Sequence, residues 1–167
     1  MAKGIRHDSL FFGIKLGDNR EDFYGKCFDL NKQKLVTQGV GFSVQYDFID
    51  SLTQKKPMPM RMMFYGEFDS LNVMKGMNME FTYPGWTPGF AGLQSDSLAK
   101  HTAMLLKKWY GGNDFVEVKM EQQDVPVKVD GNRRIMIIME DQHRVLVRIH
   151  DMMHPDYTPK GLKVAKK

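Results

Sequence analysis

The chain has 167 residues, 42% hydrophobic and 26% charged, with a formal charge of +4 and a single cysteine. That length suits one domain, or two small halves sharing a core. The composition argues against a collagen, a disordered acidic chain or a disulfide-stapled mini-protein, and one cysteine cannot close an intrachain disulfide or furnish a Cys-rich zinc site.

The first helix signal is Asp18-Asn19-Arg20-Glu21. Asp18 is placed to cap the helix and Glu21 to reach back, as in a capping box. Phe23, Cys27 and Leu30 then form one apolar stripe. Next, Val40, Phe42, Val44, Tyr46 and Phe48 alternate with Gly41, Ser43, Gln45 and Asp47, which predicts a strand with all five apolar side chains on one face. Residues 50–57 form a polar loop. Met60, Met62 and Phe64 begin a second strand that ends near Phe68, and Asp69-Ser70 turns the chain. Met77, Met79, Phe81 and Tyr83 alternate through a third strand.

Pro84-Gly85-Trp86-Thr87-Pro88-Gly89 cannot be regular structure. Ser95 or Ser97 then caps a second helix with the inner stripe Leu98, Thr102, Leu105 and Trp109, which stops at Gly111-Gly112. Val116, Val118 and Met120 open the next strand. Val125, Val127 and Val129 form another, placed at an edge by Pro126. Asp130-Gly131 signals a hairpin. The nearly all-apolar run 134–139 is a central strand, and Val145, Val147 and Ile149 alternate through the last one.

The order α-β-β-β-α-β-β-β, with a possible further strand, points to an α+β fold: two helices on one face of a mainly antiparallel sheet. Phe23, Phe42, Val44, Phe64, Phe81, Leu105, Trp109, Val118, Ile137 and Val147 are the expected core. Residues 1–155 form the domain, with possible halves 10–90 and 91–155. Residues 156–167 form a flexible basic tail in which Lys160, Lys163, Lys166 and Lys167 face only Asp156. The longest apolar runs fall far short of the ~20 residues of a spanning helix, so no membrane span is expected.

Phe12-Gly13-Ile14-Lys15-Leu16-Gly17-Asp18 followed by Asp22-Phe23, together with Trp109-Tyr110-Gly111 at the end of the second helix, resembles a group of exported α+β proteins from gut bacteria. The element order resembles the β-lactamase inhibitory protein fold, built from two helix-plus-sheet units. The resemblance implies a binding or interaction module with an open partner identity, and supplies no catalytic residues. The chain as written carries no signal peptide, which fits a cytoplasmic protein, or a periplasmic or secreted one whose leader has been trimmed.

Three kinds of function follow. The first is a non-enzymatic module that binds a protein partner. Tyr83, Trp86 and Phe90, on a stiff Pro- and Gly-rich loop, would anchor it, and the open sheet face is the alternative surface. The second is a metal carrier or small enzyme. His150 and His154 have zinc-ligand spacing, and Met58, Met60, Met62 and Met63 are soft donors suited to Cu(I). Against it, a strand pattern runs through His150, Pro155 discourages a helix at His154, and sheet alternation alone explains the methionines. The third is a nucleic-acid binder using the lysine tail, although a dedicated binder concentrates charge on its folded face. Cys27, on a buried stripe, is expected to be structural. No phosphate loop, nucleophile elbow or dinucleotide fingerprint appears, and no cofactor is expected.

Overall fold

A computed structural model describes residues 4–51 and 56–158. Helix α1 spans Arg20–Lys32 and α2 spans Ser95–Tyr110. The strands are β1 (Thr37–Gln38), β2 (Val44–Asp50), β3 (Met58–Phe68), β4 (Met74–Thr82), β5 (Val116–Lys119), β6 (Asp124–Asp130), β7 (Arg133–Met139) and β8 (Arg144–Asp151). They form one eight-stranded antiparallel sheet in the order β1-β2-β3-β4-β8-β7-β6-β5. The fold is α+β; the first half gains the short strand β1, and the second half has the possible fourth strand that its patterns indicate. Among the described residues no helix is long and apolar enough to cross a membrane.

Each half is a helix followed by a four-stranded meander, and the last strands of the halves, β4 and β8, pair antiparallel at the centre. This topology relates the halves by an approximate two-fold axis normal to the sheet. Such an axis keeps each face on its own side, so both helices fall on the same one. Their stripes meet one continuous core containing Phe23, Cys27, Leu98 and Leu105. The register aligns Val44, Phe64, Met79, Val147 and Ile137 across five strands. Fully burying each large side chain of such a row contributes roughly 1.5–3 kcal/mol.

Several local expectations are corrected. Asn19, not Asp18, caps α1, its Oδ1 accepting from Asp22 N at 2.8 Å. Asp18 instead accepts from Lys15 N and pairs with Lys26 Nζ at 2.7 Å. No serine caps α2. Its first amide, Ser95 N, donates to Gln142 O at 2.9 Å, and a neighbouring turn thereby does the work of a cap. Gly111 ends the helix at φ 59°, a conformation that glycine accepts.

The largest correction concerns residues 40–48. The strand begins only at Val44. Val40 and Phe42 sit in the hairpin loop between β1 and β2, where Ser43 Oγ donates to Val40 O at 2.6 Å, and they are 83% and 90% exposed. Phe42 therefore leaves the core, and Val118 is only half-buried. Pro126 is not in an edge strand, since β6 lies between β5 and β7. The proline is tolerated because the β6–β7 ladder begins one residue later, at Val127. In β6 it is Lys128 that is fully buried, its Nζ donating to Asn113 O and pairing with Asp130 at 2.6 Å.

Candidate functional site

The aromatic loop does not converge on one surface. Tyr83 is buried, its hydroxyl hydrogen-bonded to His101 Nδ1 at 2.8 Å, while the other His101 nitrogen contacts the buried Asp50 carboxylate. Tyr83 thus closes a polar chain on the helix side of the sheet and is no surface anchor. Trp86 is half-buried, with its ring 4.9 Å from His143. Phe90 is exposed. Gln94, just before α2, ties the loop down by donating to the carbonyls of Thr87, Pro88 and Phe90.

The metal candidates are also dispersed. Met60 and Met62 are fully enclosed in the apolar core, and Met58 packs at its margin. His150 faces Glu67 at 3.9 Å. His154 turns away to Asp69, with Nε2 at 3.1 Å, and its Nδ1 accepts from Asp156 N. Asp69, His154 and Asp156 bring one donor each within 4.8 Å of one another. Both histidine nitrogens are already engaged, however, and Asp69 Oδ1 accepts from the amides of Leu71 and Val73. The Val73 amide, then that of Leu71 and His154, hold the Asp69 carboxyl below the usual range. This set closes the β3–β4 turn by satisfying itself.

The open face of the sheet holds a groove of about 560 Å³. Because side chains alternate across a strand, the partners of the core residues line this face. One row runs Val129, Arg134, His150, Gly76 and Glu67 across five strands. The next runs Val127, Met136, Arg148, Asn78 and Tyr65. Gly76 keeps the first row shallow: a Cβ there would lie 2.7 Å from Ile149 O. Asp156, Tyr157 and Thr158 form one wall, so the start of the expected tail is part of the domain. The lysines beyond it lie outside the described residues.

The charges of the groove are unevenly matched. Lys75 lies 3.9 Å from both Glu67 and Asp156, and Asp151 is taken by Arg6 at 2.7 Å. Arg134 is 8% exposed, its guanidinium is 5.2 Å from the centre of the Tyr157 ring, and its Nε has no acceptor. Arg148 is exposed. Among the described residues neither arginine side chain makes a hydrogen bond or ion pair.

Beside the groove, Val40, Phe42, Met63 and Tyr65 line a second concavity of about 350 Å³ at the β1–β2 hairpin, and Tyr65 belongs to both. The sequence pattern points to an open face but puts Val40 and Phe42 on the inner side of a strand and Met63 among soft metal donors, and it does not single out Tyr65. The available signals were Gly39 and Gly41 around Val40, which mark a turn, and an arginine opening an otherwise apolar central strand. No family model, no curated protein and no solved structure matches this chain.

Proposed function

We propose that the protein is a non-enzymatic binding module that takes a partner protein on the open face of its sheet. The observation that carries this reading is the hairpin: Phe42 and Val40 stand almost wholly in water beside Tyr65, on the face that neither helix covers. Single exposed apolar residues are ordinary, but a cluster of them rimming a polar groove fits a contact surface. Aromatic side chains at the centre of such surfaces carry much of the binding energy. The paired α+β halves support the reading, because their two-fold arrangement leaves one broad sheet face free.

Site-specific photo-crosslinking tests it. With p-benzoylphenylalanine at position 42, one dominant adduct is expected in extract of the native host. None is expected with the same group at Phe28, which is exposed on α1. Equal adducts at both positions, or none at either, would overturn the assignment.

A further inference from the structure

We propose that Arg134 and Arg148 form a socket for the carboxylate of an acidic side chain on the partner protein, an inference that rests on the open-face reading above. An arginine removed from water is normally compensated by an acceptor, because desolvating a guanidinium costs more than packing its stem returns. Arg134 is 8% exposed, yet among the described residues its guanidinium meets the Tyr157 ring and no acid. Its Nε is orphaned.

Arg148 sits one strand over, opposite Met136, two positions from the direct partner of Arg134. Such diagonal neighbours are roughly 7–8 Å apart at the backbone, within reach of two long side chains converging on one anion. The acids of the groove do not fill the role. Glu67 and Asp156 face Lys75, Glu67 also faces His150, and Asp151 faces Arg6.

The surroundings select the occupant. Tyr65, Met120, Met136 and Ile138 share the groove with the two guanidiniums. That mixture suits a carboxylate carried among apolar side chains, and arginine, methionine and aromatics are the residues enriched at protein interfaces. The side chains of residues 159–167 do not complement the site, since the charged ones are Lys160, Lys163, Lys166 and Lys167.

Calorimetry on the full chain tests the socket with three probes: acetyl-Leu-Glu-Glu-Phe-amide, its Gln-Gln counterpart, and inorganic phosphate. The Glu peptide is expected to bind roughly tenfold or more tightly than the Gln peptide, the value of a charge-assisted pair. R148Q and R134M are each expected to erase that difference. R148Q keeps the test open should R134M fail to fold, because the Arg148 side chain is exposed and bonds to no described residue. Equal binding of the two peptides, or a difference that survives R148Q, overturns the socket. So does phosphate that outcompetes the Glu peptide, which would mark a small-anion pocket. A Glu-over-Gln preference without an adduct at position 42 supports the socket and retires the hairpin; an adduct without the preference does the reverse.

Discussion

Substituting Phe42 by Ser and Phe64 by Ala separates the two faces of the sheet energetically. A phenylalanine side chain presents about 200 Å². Phe64 is fully enclosed, against Phe11 at 4.8 Å and Phe23 at 6.5 Å between ring centres. At ~25 cal/mol per Å² its removal forfeits up to about 5 kcal/mol, within the range of about 3–5 kcal/mol for emptying such a site. Phe42 is 90% exposed, so about a tenth of its area, worth roughly 0.5 kcal/mol, is at stake. In a chain of this size 1 kcal/mol moves Tm by roughly 2–4 °C. Phe64→Ala should lower Tm by about 10 °C, Phe42→Ser by about 2 °C or less. Urea denaturation followed by circular dichroism should rank the two alike. A loss above about 2 kcal/mol for Phe42→Ser would place that ring in the core, and the hairpin would cease to be a contact surface.

Acid should destabilise the fold through Asp130. Burial opposes its ionisation but is outweighed by the Lys128 hydrogen bond, the Asn113 amide and the charges of Lys128 and Arg133, so its carboxyl titrates below the usual range. A carboxyl whose pKa falls on folding stabilises above its unfolded value and loses that contribution as pH drops through the folded one. Stability measured by urea denaturation should thus decline below about pH 4, with a shallower decline in Asp130→Asn; an unchanged slope would count against the salt bridge. The Cys27 thiol, pushed up to about 11 by burial, should resist iodoacetamide at pH 8 in the native protein and react once urea unfolds it. Rapid native labelling would contradict its placement on the inner stripe of α1.

The α1 stripe of Phe23, Cys27 and Leu30 and the alternation in β3, β4 and β8 are all legible in the chain, because periods of 3.6 and 2 record which side chains leave water. The α+β class follows from their order. Alternation fails at Val40 and Phe42 because a hairpin loop containing Gly39 and Gly41 can imitate a strand: the pattern marks apolar residues but not where the chain reverses. It fails again at Lys128, whose charge reads as solvent-facing until Asp130 and the carbonyl of Asn113 are brought to it.

The candidate site depends still more on the tertiary structure. The sequence by itself marks out strands, turns, buried stripes and the existence of a second sheet face. Only folding makes β8 the neighbour of both β4 and β7. That pairing puts Arg134 in the His150 row and Arg148 beside Asn78, and among the described residues it leaves both guanidiniums without an acid. Local patterning records burial one residue at a time, whereas pairing across distant segments is set by register and by the antiparallel meeting of the two halves, which no local spacing encodes.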